Sequence, residues 1–293
     1  MDIRDLEYLV ASASAGNFSR AARSLGLTTS TVSRRIGRLE DELGLALFER
    51  GHFGVRPTRG GRAVLLDARR ALADLNAVKR SGAEGASGEV GEIHLGVAFP
   101  PTGEFLTSLL ADWRGRNPNV VLTVTEMNDR DLVAALEERR LDVALMLSHA
   151  LAPHAVCERL YRDRLLMALP AGHPLAEQPC ISCDDLAEEI ILVQGWEESP
   201  AISELHASFV GGGAKLRSHA ASKQSILALV GAGFGMTLTT ASQSEAELLG
   251  VVFREIDDPD ASIEIALAWL PELEDATIGR FVAFFRDESR LRG

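Results

Sequence analysis

The tract GAEGASGEVG, Gly82–Gly91, constrains this chain more than any other feature. Its four glycines, with Val90 as the one bulky apolar residue, have the composition of a linker. The hydrophobic rhythm differs on its two sides. Before it, apolar residues recur three and four apart, the period of helices. After it, short β-rich runs alternate with amphipathic stretches, the pattern of parallel βαβ units. The chain therefore divides into a helical head and an α/β body. With 293 residues, 46% of them hydrophobic, both parts can bury a core.

Several classes drop out early. The start, MDIRDLEYLV, carries acids and no long apolar run, so no signal peptide is expected. No stretch approaches the roughly 18 apolar residues of a membrane span, so no membrane partner is expected. Three cysteines in a long chain do not suggest a disulfide framework, and a cytoplasmic location is the default. The net charge of −12 hides an asymmetry: residues 1–80 hold 14 Lys+Arg against 9 Asp+Glu, the remainder 16 against 33. A basic head on an acidic body points to a polyanion as the head's partner.

In the head, Leu6, Val10 and Ala13 mark one helical face, and Gly16-Asn17 breaks it. FSRAARSLG follows, with Asn17 or Ser19 as candidate N-cap and Gly26 past its end. A third helix begins at the candidate N-cap Thr28, which completes a helix-turn-helix outline. There Val32, Ile36, Leu39 and Leu43 recur at 4-3-4, and Ser30, Thr31, Arg34, Gly37 and Arg38 occupy the other side. Arg34 and Arg38 repel each other by about 0.2–0.5 kcal/mol, with Glu42 placed to relieve Arg38. A solvated basic face is the bland alternative. Position weighs against it: hydroxyls and arginines fill the first turns, while Glu40, Asp41 and Glu42 sit only at the end. A recognition helix enters the major groove by its N-terminal part, where acids would repel phosphate. LALFERGHFGVRPT then reads as a β-hairpin wing carrying Arg50 and Arg56. Thr58 caps a long helix in which Val64, Ala68, Ala71, Leu75 and Val78 follow a 4-3-4-3 spacing, widened by Leu65 and Leu72. A sustained heptad calls for a partner helix. Packing on the chain's own head or body is the alternative, but a second copy is favoured because two-fold DNA sites need two heads.

These residues carry a resemblance. NFSRAARSLGLTTSTVSRRIGRLEDELGLALFER and VRPTRGGRAVL look like the N-terminal winged helix-turn-helix of LysR-type transcriptional regulators. Phe18, Ala21, Ala22, Val32, Ser33, Ile36, Leu39, Glu40, Leu43, Gly44, Leu47, Phe48, Arg50, Thr58 and Gly61 fit that family's pattern. One departure is Thr29-Ser30, where many members have Gln-Pro. The resemblance implies that Thr29, Ser30, Thr31, Ser33 and Arg34 lie at DNA-reading positions. Arg34 is placed to pair with a guanine edge, worth about 1–3 kcal/mol of discrimination. Arg35, Arg38, Arg50 and Arg56 are expected on phosphates.

The body also resembles the family, in length and βα order. That implies an α+β multidomain chain: a winged helix-turn-helix over 1–58, a linker helix and hinge over 59–91, and an α/β periplasmic-binding-protein-like effector domain over 92–293. Two Rossmann-like subdomains are expected, one over about 92–161 and 267–293, the other over about 162–266. The crossings are placed near Leu160–Arg162 and Ile265–Trp269. The cleft between them lies off the carboxyl ends of the strands. Pro101 and Thr102 lead from the first strand into a helix N-terminus suited to an anion. Asn128 and Ser148 follow the next two strands. From the other subdomain come Trp196 and Ser199, then Ser222 and Lys223, the last one of three lysines in the chain. The expected effector is an organic anion, aromatic in view of Phe99 and Trp196. Its binding is expected to shift the angle between subdomains or subunits, and so the spacing of paired heads. The expected partners are duplex DNA with two-fold related half-sites, the effector, a second copy in a dimer or tetramer, and RNA polymerase.

Rival readings are weaker. Cys180 and Cys183 form C-x-x-C, which would suit a thiol-based redox switch, but nothing completes a zinc site. LVGAGFGM follows an amphipathic stretch, not a strand, so it is no dinucleotide fingerprint. FVGGGAK lacks P-loop spacing, no serine sits in a G-x-S-x-G elbow, and the seven histidines show no ligand spacing. No cofactor, metal or catalytic residue is expected, and an enzyme is disfavoured.

Overall fold

A computed structural model describes residues 1–51, 54–84, 88–148, 154–195, 205–206, 208–210, 214–245, 248–271 and 275–292, with backbone alone at 76–77 and 79–84. The chain forms two compact units: Met1–Gly85 with Glu137–Arg140, and Ala86–Leu136 with Leu141–Gly293.

The first unit begins with α1 (Ile3–Ala15), opened by a reciprocal cap in which Asp2 accepts from the Asp5 N–H and Asp5 from the Asp2 N–H. α2 (Phe18–Ser24) is capped by Asn17, and α3 (Thr29–Leu43) by Thr28, whose hydroxyl accepts from the Thr31 N–H at 3.2 Å. Val32, Ile36 and Leu39 are buried against Tyr8, Leu9 and Phe18. Leu43, the expected fourth member of that stripe, is 36% exposed, because α3 ends there and Gly44 turns the chain away. β1 (Phe48–Gly51) and β2 (Gly54–Pro57) pair as the antiparallel wing. Glu40 ties the wing down: one carboxylate oxygen accepts from the Leu47 and Phe48 N–H groups at 2.8 and 3.2 Å, the other from Arg50.

Thr58 caps α4 (Arg59–Glu84) by accepting from the Gly61 N–H at 2.8 Å. A Cβ on Gly61 would lie 2.0 Å from the Leu47 carbonyl oxygen, so only glycine lets α4 approach the wing this closely. The first turns of α4 correct the sequence reading. Leu65 and Ala68 are buried in the unit's own core and Val64 packs against it. Leu65 and Ala68 thereby hold α4 on its head, with Val64 half-buried beside them. Leu72 and Leu75 are half-buried, and Val78 is 68% exposed.

In the second unit β3 (Gly91–Val97), β4 (Val120–Glu126) and β5 (Val143–Leu147) run parallel in the order β4-β3-β5. α5 (Glu104–Arg116) and α6 (Asp129–Glu137) are their crossovers. Every residue of β5 is buried, as expected of a strand covered on both faces. β12 (Ser262–Trp269) lies antiparallel between β5 and β6 (Val156–Pro170). β6 pairs with β12 through Arg164, then with β10 (Thr237–Thr240) and β11 (Val251–Ile256) from Leu165 onward. This one strand passes from the first lobe to the second. The second lobe adds β7 (Cys180–Ile181), the parallel pair β8 (Ile190–Gln194) and β9 (Lys215–His219), α7 (Lys223–Gly231) and the short α8 (Ala241–Ser244). α9 (Ala276–Arg292) returns to the first lobe, with Phe281 stacked on Phe285 at 4.3 Å and edge-on to Trp113 at 4.9 Å.

The crossings differ from expectation by a few residues. The first falls at Arg164–Leu165, where β6 changes neighbours. The return lies at residues 257–261, before β12, because β12 pairs with β5 and β6 and so belongs to the first lobe.

Candidate functional site

The first unit presents the start of α3. Thr29 and Ser30 are exposed, Thr31 and Ser33 half-buried, and Arg34 and Arg38 exposed. The hydroxyls are linked: Thr28 meets Ser30 at 3.0 Å and Thr31 at 2.8 Å, and Thr29 donates to Ser19 at 3.3 Å. Among the described residues no carboxylate lies in ion-pair range of Arg34, Arg38 or Arg56. Glu42, expected to relieve Arg38, is instead held by the Met1 ammonium at 2.6 Å. Two other arginines are engaged. Arg35 reaches Asp5 at 3.1 Å and Asp2 at 3.4 Å, which ties α3 to α1 and spends its charge within the head. Arg50 lies over the Phe18 ring at 5.4 Å and donates to Ser33 and Glu40.

In the second unit a cavity of about 570 Å3 opens between the two lobes. Its walls are largely apolar, with Phe99, Leu147, Leu165, Leu238, Ile263 and Ile265. Lys223, the first residue of α7, also lines it. Its ammonium donates to the Thr237 hydroxyl at 3.1 Å and to the Leu238 carbonyl. Burial pushes its pKa down to about 8. Ser222 caps α7 beside it. Also in the lining, Thr239 donates to Gln243 at 2.9 Å, and Asp163, buried on β6, accepts from the Ser242 N–H at 3.3 Å. Outside the lining, the start of α5 meets the segment of α8. The Glu104 N–H donates to Glu245 at 2.8 Å, and Gly103, at φ +92°, brings its backbone so near Ser242 that a Cβ would be 2.6 Å away.

The sequence places this geometry in a family. The model described as "Bacterial regulatory helix-turn-helix protein, lysR family" matches residues 3–62, and "LysR substrate binding domain" matches residues 86–290. The chain belongs to the LysR family of transcriptional regulators. It is 32% identical to the HTH-type transcriptional regulator BudR of Raoultella terrigena over 97% of this chain and 100% of BudR. It is 29% identical to the DNA-binding transcriptional dual regulator OxyR of Escherichia coli K12, over 92% and 90% of the two chains. Its fold is that of CbnR, a LysR family transcriptional regulator, with a TM-score of 0.75 at 24% identity over 99% of each chain. The chain is thus a LysR-family DNA-binding regulator with an effector-binding domain. Regulators of this family bind DNA as dimers or tetramers and respond to small molecules.

Within this LysR-family regulator the expected effector residues separate. Asn128, Ser222 and Lys223 line the cavity. Asn128 also caps α6, its amide donating to Asp131 at 2.9 Å and its oxygen accepting from the Asp131 N–H. Pro101 and Thr102 do not line it: the Thr102 N–H turns back to the Pro100 carbonyl, and the chain's own Glu245 takes the N-terminus of α5. Ser148 is drawn off by Glu264, 3.3 Å from its hydroxyl. Trp196 and Ser199 lie outside the described residues. Cys180 and Cys183 are free thiols away from the cavity lining, and Cys183 donates to the Phe209 carbonyl. Sequence reasoning missed Asp163, Thr239 and Gln243. One signal was available for Asp163, an acid separated from the apolar run LLMALP by Arg164 alone.

Proposed function

We propose that this regulator reads operator DNA with the exposed start of α3 and is controlled by a small carboxylate-bearing molecule in the cavity of its second unit. Lys223 carries the ligand half of that reading. It is a half-buried residue whose ammonium is drawn out of water, with two neutral acceptors and, among the described residues, no carboxylate in ion-pair range. A third ammonium donor remains, and a buried charge without a counter-ion favours an anionic guest. The N-terminus of α7 and the Ser222 hydroxyl add to the same pole. The apolar walls, Phe99 included, suit a hydrocarbon or aromatic body.

On the DNA half, Ser30, Thr31, Ser33 and Arg34, opened by Thr29, read bases. Arg38 and Arg56 neutralise phosphates, joined by Arg50 from the wing. Leu72, Leu75 and Val78 on α4 serve a second copy of the chain, which two-fold related half-sites require. RNA polymerase and a cytoplasmic setting follow from a regulator's work on promoters.

A thermal-shift screen of organic acids on the full chain, aromatic acids first, tests the ligand reading. A binding acid raises the melting temperature, and Lys223→Met removes most of the shift. An undiminished shift in Lys223→Met sinks the assignment.

A further inference from the structure

We infer that the cavity takes a zwitterion with separated charges, its carboxylate at the Lys223 end and an ammonium or guanidinium at the Asp163 end. This rests on the reading of the cavity as the effector site and adds the ligand's second charge. Among the described residues the lining holds three carboxylates, Glu126, Asp129 and Asp163, against one lysine and one histidine, His206. A simple anion drawn to Lys223 would enter an acidic chamber.

Asp163 decides the matter. It is only 6% exposed and lines the cavity, yet among the described residues its side chain's one hydrogen bond is from the neutral Ser242 N–H, and no cation is in ion-pair range. Capping an N–H needs an acceptor and not a charge; a buried carboxylate costs far more than an amide unless a cation meets it. Buried Asp163 and half-buried Lys223 thus carry complementary charges, neither of them ion-paired among the described residues.

The sheet register sets the spacing of the backbone positions beside which they sit. Lys223 binds the Leu238 carbonyl, and Leu238 stands opposite Met167 on β6. Asp163 lies four residues away along the same strand, about 14 Å of extended chain. Asp163 and Leu165 share one face of β6 by its two-residue period, and both line the cavity. Leu165, Leu238, Ile263 and Ile265 form the apolar stretch available between the poles. An anionic head, a hydrocarbon spacer and a cationic tail match that order, as in ω-amino or ω-guanidino acids. A compact α-amino acid leaves one pole unmet.

Calorimetric titration of the full-length protein at neutral pH tests this, with 4-aminobutanoate, 6-aminohexanoate and 8-aminooctanoate, each against its alkanoate and alkylamine. At least one amino acid is expected to bind at least ~10-fold more tightly than both of its singly charged analogues. Asp163→Asn, which keeps an acceptor for Ser242, should cut the preference over the alkanoate to about twofold or less. Lys223→Met should do the same to the preference over the alkylamine. An alkanoate that binds as tightly as its amino acid overturns the zwitterion and leaves the effector-site reading standing. So does an Asp163→Asn preference equal to wild type. Binding by none of the nine compounds overturns it too; the effector-site reading falls with it only if the organic-acid screen also gives no shift. The wild-type comparison needs no variant to fold.

Discussion

At Lys223 the ammonium sits between the Thr237 hydroxyl and the Leu238 carbonyl, and burial lowers its pKa to about 8. In the unfolded chain a lysine titrates near 10.4. Between those values the unfolded state binds the extra proton, so the lysine's penalty on folding is full below pH ~8 and is relieved as pH rises toward ~10.4. The unfolding free energy of wild type relative to Lys223→Met should therefore rise over that window; a flat difference contradicts the burial. Binding of a carboxylate runs the other way, because it needs the charged lysine, and should weaken above pH ~8. At this scale the sequence was only partly readable. Ser222 and Lys223 stood out because lysine is scarce. Thr102 and Ser148 failed because Glu245 and Glu264, remote in sequence, settle what a strand end can offer.

Among the elements, α1 to α4 and the wing could be read from period, caps and turns, since each is specified locally. What the pattern did not reveal is how the wing is fastened. Glu40 looked like an acid kept clear of phosphate, whereas it accepts from two N–H groups at the start of β1 and from Arg50. Glu40→Ala would strand the N–H groups of Leu47 and Phe48, both buried residues, at a cost of about 1–3 kcal/mol. Urea unfolding of the full chain should show the first unit's transition weakened by that amount. Affinity for matched and scrambled duplexes should fall alike, since a loosened wing costs phosphate contacts and not base reading. An unchanged transition would show the wing to be held by Phe18 and Phe48 packing alone. α4 teaches the complementary lesson. Of its heptad, Leu65 and Ala68 are spent on the head's own core, because a hydrophobic stripe does not say which neighbour covers it.

On the scale of the whole molecule, the division at the glycine-rich tract and the βα alternation were both legible in sequence. The cavity was not. Its polar residues come from segments far apart along the chain, Asn128, Asp163, Lys223 and Gln243, which meet only through the long β6 and the return to β12. Assembly belongs to this scale too. Val78 is 68% exposed on α4, so Val78→Asp should leave monomer stability within about 0.5 kcal/mol while weakening self-association. Sedimentation at several concentrations reads this directly; an unchanged assembly would move the interface off the end of α4. The central claim, that an exposed arginine at the start of α3 reads sequence, is tested most directly by titrating wild type, Arg34→Ala and Arg56→Ala on a selected operator and its scrambled copy at one salt concentration. Arg34→Ala should lose about 1–3 kcal/mol on the operator and little on the scrambled duplex. Arg56→Ala should lose similar amounts on both. Equal losses on both duplexes for Arg34→Ala would contradict the account.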